Sequence, residues 1–191
     1  MSEEQKPYIT VYAEETPNPD TMKFVFNFMI LPDDAVDFPT REKAQASPLA
    51  KSLFEFSFVN AVFIMNNFVT ITRVVGTEWH EVIPIVKEFL LSYVEAEEPI
   101  VANHTPASKY EGADSIVVAQ IIDVLDTYIK PAVESDGGMI SFKSFENGVV
   151  TVEMKGSCSG CPSSTVTLKR GIEGMLTKMI PEVTEVIAMA I

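Results

Sequence analysis

Thiols are scarce in this chain: its 191 residues include only two cysteines, Cys158 and Cys161. A disulfide between them would close a tiny loop and restrain little of the unfolded chain, which excludes a stapling role. Basic residues are also few, 14 Lys and Arg against 27 Asp and Glu, for a formal net charge of −13. Residues 1–95 contribute −7 and residues 96–191 contribute −6, so neither half forms a basic arm. Duplex nucleic acid and anionic membrane surfaces both demand clustered Lys and Arg, and neither is an expected partner. No apolar run approaches the ~18 residues of a membrane span. The opening Met1-Ser-Glu-Glu-Gln-Lys6 is acidic and lacks an apolar stretch, unlike a secretory signal or an Arg-rich transit peptide. The expectation is a soluble, intracellular chain with a cytoplasmic location.

Apolar residues, by contrast, make up 47% of the chain, ample for packed cores and incompatible with long disorder. Tyr8–Ala13 alternates β-branched and aromatic residues and predicts a strand, ended by the turn cluster Thr16-Pro-Asn-Pro-Asp20. Phe24, Phe26, Phe28 and Ile30 predict a second strand with one apolar face, read as core rather than binding groove. Ser47 before Pro48 predicts an N-cap and a short helix through about Phe56. Ala61–Met65 and Phe68–Val74 predict a hairpin about Asn66-Asn67. Trp79, Val82, Ile83, Val86, Phe89, Leu90 and Tyr93 recur at helical spacing, predicting a helix from Thr77 or Glu78 to about Val94. This gives an N-terminal β-β-α-β-β-α domain over residues 1–95, followed by a linker over 96–113 rich in charge and proline.

A C-terminal α-β-β-α-β domain is predicted over 114–191. Asp114-Ser115 caps a helix carrying Ile121, Val124, Leu125 and Tyr128, which Pro131 bends or ends. Asp136-Gly-Gly138 is a turn whose glycines supply positive φ, a simpler reading than a carboxylate brought to the cysteine loop. Asn147-Gly148 joins strands Met139–Phe145 and Gly148–Met154. A helix carrying Leu168, Ile172, Met175, Leu176 and Met179 follows, and Val183–Ile191 is a last strand. The fold class is α+β in two small domains.

The loop Gly156-Ser-Cys158-Ser-Gly-Cys161-Pro162 is where the chemistry concentrates. Two thiols three residues apart at a strand-to-helix junction can both face one bound atom. The helix N-terminus is expected to lower their pKa toward thiolate, which is both ligand and nucleophile. Three readings follow. As a metal site the loop supplies two of the four ligands that zinc or an iron–sulfur cluster takes, and a second copy of the chain is the simplest completion. Such a site lies near solvent and comes apart easily, which suits transfer. As a redox site the pair would cycle between dithiol and disulfide, although no βαβ unit precedes it and no aromatic residue stands before Cys158. The third reading is two inert cysteines in a turn. Ser163, Ser164 and Thr165 are expected to cap the following helix, and Lys155, Lys169 and Arg170 either offset cluster charge or form a solvated face. His80 and His104 have no ligand-like spacing to the cysteines. No phosphate loop, catalytic triad or carboxylate pair is apparent, so catalytic residues and enzymatic turnover are not expected.

Ile121–Tyr128, Pro131, Asp136-Gly-Gly138, Val149–Met154, Gly156–Thr165, Leu168 and Gly171–Leu176 resemble the C-terminal domain of NifU-like (Nfu) iron–sulfur cluster proteins. Thr16-Pro-Asn-Pro19, Lys23-Phe24, Ser47-Pro-Leu-Ala50, Leu53-Phe54, Asn67–Ile71 and Trp79 resemble the domain preceding it in that family. The resemblance implies a scaffold or carrier holding a labile 4Fe–4S cluster between two subunits, with 2Fe–2S as the alternative load. Cys158 and Cys161 would be the ligands, apo iron–sulfur proteins the recipients, and upstream assembly proteins further partners. The chain would then be a homodimer when loaded. The cysteine-bearing scaffold and ferredoxin-like domains of the founding nitrogen-fixation protein are not in this sequence, so every cluster function would pass through this one loop. The rival is a thiol–disulfide oxidoreductase using the same pair.

Overall fold

The computed structural model of the chain describes residues 8–102, 116–159 and 162–190. Two sheets with separate hydrophobic clusters organise it, giving an α+β fold. The first sheet has five antiparallel strands in the order β1-β2-β5-β4-β3: β1 Val11–Glu15, β2 Thr21–Phe26, β3 Leu31–Phe38, β4 Val59–Asn66 and β5 Phe68–Arg73. Helices α1, Pro48–Leu53, and α2, Trp79–Glu95, complete this half. Phe24, Phe26, Val62, Ile64, Val69 and Ile71 share a core with Leu49, Leu53, Val86 and Leu90.

The first domain therefore has one more strand than the alternation predicts. β3 carries three aspartates and Pro32, lies at the sheet edge and breaks register between Leu31 and Ala35. An edge strand tolerates proline and charge and needs no apolar alternation, which hid it. The second strand starts earlier and stops at Phe26, so Phe28, 38% exposed, leaves the core stripe. Helix α1 opens as expected: the Ser47 hydroxyl accepts from the Ala50 N–H at 3.0 Å, and Pro48 holds the first position. It ends at Leu53, three residues short of the expected end. Asn66 adopts φ 48° in the hairpin turn, as a tight connection requires. The start of the predicted linker lies on the first domain, with the Ser47 hydroxyl donating to the Ile100 carbonyl at 2.6 Å.

In the second domain α3, Ile116–Val124, runs into a π-helical turn over Leu125–Ile129 and then α4, Lys130–Ser135. Pro131 thus does not end the helix; the π-helical turn lies immediately before the segment that carries it, where the carbonyl that proline cannot bond must be accommodated. The expected cap Asp114-Ser115 lies outside the described residues. Strands β6, Gly138–Glu146, and β7, Val149–Gly156, pair antiparallel about Asn147 and Gly148, both at positive φ. Helix α5, Pro162–Met179, returns the chain so that β8, Glu185–Ala190, pairs parallel to β7. Among the described residues no helix is long and apolar enough to cross a membrane.

Strand β2 is buried at all six positions, so both faces of the first sheet are covered. Lys23, Val25, Phe63, Phe68 and Thr70 point away from the first domain's core, toward the second domain. Met139 packs against the cluster formed by Val25, Phe63, Met65 and Phe68.

Candidate functional site

Strand β7 ends at Gly156 and α5 begins at Pro162, so the cysteine loop is the connection between them. Gly156 has φ +68°, a conformation in which any other residue is strained. A side chain there would also meet the Gly137 carbonyl at 2.7 Å and the Phe63 ring at 2.9 Å. Gly138 leaves room for the thiol itself, since a Cβ at that position would lie 2.8 Å from Cys158 Sγ. The turn of the second domain and the cysteine loop are therefore packed directly together. The Ser157 N–H donates to the Gly137 carbonyl at 3.3 Å, and the Ser157 hydroxyl donates to the Asp136 carbonyl. Ser159 closes the loop on itself, its hydroxyl donating to the Gly156 carbonyl at 2.9 Å.

Cys158 is buried, 7% exposed, and lines a pocket of about 190 Å³ with Pro17, Asn18, Asp136, Ser157, Thr167 and Leu168. Burial pushes its thiol pKa up; the Ser157 hydroxyl, 3.9 Å from Sγ, opposes the shift, and the Asp136 charge adds to it. For Cys158 the direction is thus opposite to the activation expected of the loop's thiols, because burial disfavours the charged form. Asp136 thus faces the loop while Gly137 takes the positive φ, so the turn combines both readings of it. Cys161 lies outside the described residues, as does His104, and the side chains of Ser163, Ser164 and Thr165 are likewise outside them.

The three cations near the loop divide. Lys169 pairs with Glu185 at 3.8 Å and Arg170 is exposed, a solvated face. Lys155 faces Asp37 of the first sheet. His80 is the exposed second residue of α2. Among the described residues no group of three or more His, Cys, Asp or Glu is arranged to hold a metal ion.

Residues of the first domain complete the surroundings of the loop, which no periodicity signalled. The Asn18 amide donates to the Ser157 carbonyl at 3.1 Å, and its own carbonyl accepts from the Asp20 N–H at 3.0 Å. The Trp79 indole donates to the Pro19 carbonyl at 2.9 Å and pins that turn to α2. Thr70 donates to the Gly137 carbonyl at 2.7 Å, and Lys23 donates to the Ser135 carbonyl at 3.1 Å. The available signal was the Thr16-Pro-Asn-Pro19 cluster, which carries more polar turn residues than a plain strand ending needs.

The family model for a NifU-like domain matches residues 121–187, and that for the scaffold protein Nfu/NifU N terminal matches residues 11–97. A human protein named NFU1 iron-sulfur cluster scaffold homolog, mitochondrial, is 38% identical over 178 residues, covering 92% of this chain and 70% of that one. The protein of the same name from Drosophila persimilis is 42% identical over 179 residues, covering 92% of this chain and 64% of that one. The solution structure of a NifU-like protein from Saccharomyces cerevisiae overlays with a TM-score of 0.47 at 18% identity, covering 55% of this chain and 93% of that one. With the two family models matched in succession and relatives aligned along nearly its whole length, the chain belongs to the NifU-like (Nfu) family of iron–sulfur cluster scaffold proteins.

Proposed function

We propose that this chain is an iron–sulfur cluster carrier. Cys158 and Cys161 bind one 4Fe–4S cluster as cargo, shared with the same two thiolates of a second copy. The observation that carries the reading is the loop between β7 and α5, which holds both thiols of the chain three residues apart and leaves the cluster half-ligated by one copy. Family membership supports the scaffold role and argues against enzymatic turnover. The domains would divide the work: residues 1–95 for recognition and positioning, 96–113 as tether, and 114–191 for binding.

Transfer runs by ligand exchange. A thiolate of an apo iron–sulfur protein attacks a cluster iron, one carrier Fe–S(Cys) bond breaks, and the released thiolate takes a proton from water. Repeated at each ligand, the exchange moves the cluster with its irons and sulfides unchanged in oxidation state. Upstream assembly proteins would load the carrier by the same steps in reverse.

An oxidoreductase using the pair fits less well, since no βαβ unit precedes the loop and no aromatic residue stands before Cys158. The test is substitution of each cysteine. Cys158→Ser and Cys161→Ser are expected to keep the fold by circular dichroism and to lose visible absorbance after anaerobic reconstitution. A normal cluster load in either variant would overturn the assignment.

A further inference from the structure

The outer face of the first sheet and the Thr16–Asp20 turn together form a cradle, and Gly156, Ser157 and Cys158 of the same chain lie against it. Three side chains of the first domain reach backbone carbonyls of the second: Asn18 to Ser157, Lys23 to Ser135 and Thr70 to Gly137. Ser157 precedes Cys158, and the Gly137 carbonyl also accepts from the Ser157 N–H, so two of the three acceptors belong to the loop or bond to it. Beneath them an apolar patch of Val25, Phe63, Met65 and Phe68 is covered by Met139, and Gly156 is flattened against the Phe63 ring. Lys23 is held from three sides, by Ser135, by Glu14 at 3.4 Å and by the Phe68 ring at 4.7 Å.

We propose that the first domain is an intramolecular latch for the cluster-binding loop, closed through Asn18, Lys23 and Thr70, and that it must open before two copies can share a cluster. The second half of this statement rests on the carrier reading; the latch itself does not. The physical conflict is one of room. A shared cluster requires the Cys158 sulfur to face a second cysteine loop, but here that sulfur faces a pocket walled by Pro17 and Asn18. At about 190 Å³ the pocket is smaller than the ~300–1,000 Å³ that enclose even a drug-sized ligand, and a peptide loop does not fit.

The composition of the cradle suits a contact that opens. Lys23 and Thr70 are polar groups that water can satisfy once released, unlike the all-apolar inner face. Because the two domains are one chain, the tether supplies a high effective concentration, and a modest interface suffices to keep the latch closed.

The experiment reads alkylation of Cys158 by iodoacetamide in the full, reduced, metal-free chain, followed by peptide mass spectrometry. In the native chain Cys158 is expected to react at least tenfold more slowly than in the same chain unfolded in urea. Thr70→Glu places a carboxylate against the Gly137 carbonyl while giving its cross-strand neighbour Lys23 a partner within the first sheet. It is expected to raise the native rate about tenfold; Lys23→Met, which removes the bond to the Ser135 carbonyl, about threefold. If Thr70→Glu fails to fold by circular dichroism, Lys23→Met decides. A native rate equal to the unfolded one, or folded variants that leave the rate unchanged, would overturn the latch. A native chain that is protected but never binds iron would sink the carrier reading and leave the latch standing. Faster cluster loading in the opened variants is the result expected when both hold.

Discussion

The two faces of the five-stranded sheet are both buried, yet by different means. The inner face, with Phe24, Phe26, Ile64 and Ile71, is apolar and packs on helices of its own domain. The outer face interleaves Val25, Phe63 and Phe68 with Lys23 and Thr70 and packs on the turn and cysteine loop of the other domain. The inner face is needed for the first domain to exist at all. The outer face is a contact between domains, and its polar members let it be solvated when the contact is released. Burial alone does not separate a core from an interface; what the buried groups are bonded to does.

Substitutions on the two faces should therefore differ in kind as well as size. Phe24→Ala, on the inner face, is expected to cost about 3–5 kcal/mol in urea denaturation, as large truncations in closed cores do. Asp37, on the edge strand opposite Phe63, probes the outer face through pH. Burial raises its pKa from 3.8 to about 6, while Lys155, the Gly156 backbone N–H and Lys43 pull the other way. Its folded pKa lies above its unfolded one, so the folded chain binds the extra proton. The stability this group contributes is complete below pH about 4 and is lost as pH rises through about 6. Asp37→Asn is expected to remove that loss, stabilising the chain at pH 7 by about 1–3 kcal/mol with little effect at pH 4. Glu134 and Asp136 are also raised by burial and slope the same way, so the difference between variant and native chain isolates Asp37.

Phe63→Ala, on the outer face, should cost less than Phe24→Ala, about 1–2 kcal/mol, because the chain can open where the ring is missing. It should also speed alkylation of Cys158, which Phe24→Ala in a still-folded chain should not. Ser47→Ala gives the smallest effect, about 1 kcal/mol, for loss of the α1 cap, with no change in thiol reactivity. Equal costs for the two phenylalanines and equal reactivity of Cys158 would erase the distinction between the faces.

Much of this was legible in the sequence where a local residue sets local geometry. Ser47-Pro48 marked a helix start, and Asn66 and Asn147-Gly148 marked hairpins, because caps and positive-φ turns depend on the residues that form them. Cys158 and Cys161 stood out as the chain's two thiols. Strand β3 was hidden because an edge strand with three aspartates lacks the alternation that betrays a half-buried one. The outer face was hidden for a different reason. The nearly unbroken apolar stretches Val62–Met65 and Phe68–Ile71 do signal a strand covered on both sides. What covers the second side is a loop whose contacts join Asn18 to Ser157 and Thr70 to Gly137, and no periodicity reports such distant pairs. The burial that pushes the Cys158 thiol pKa up was hidden for the same reason, since it belongs to the folded chain, where Pro17 and Asn18 of the other domain line the same pocket.

The most direct test of the carrier reading is stoichiometry. The full chain is reconstituted anaerobically with iron and sulfide, and iron, sulfide and absorbance are measured on its size-exclusion peak. The account predicts about two irons and two sulfides per chain in a dimer-sized, coloured peak, the content of one 4Fe–4S cluster shared by two copies. Folded, fully reduced protein that elutes without iron would contradict it.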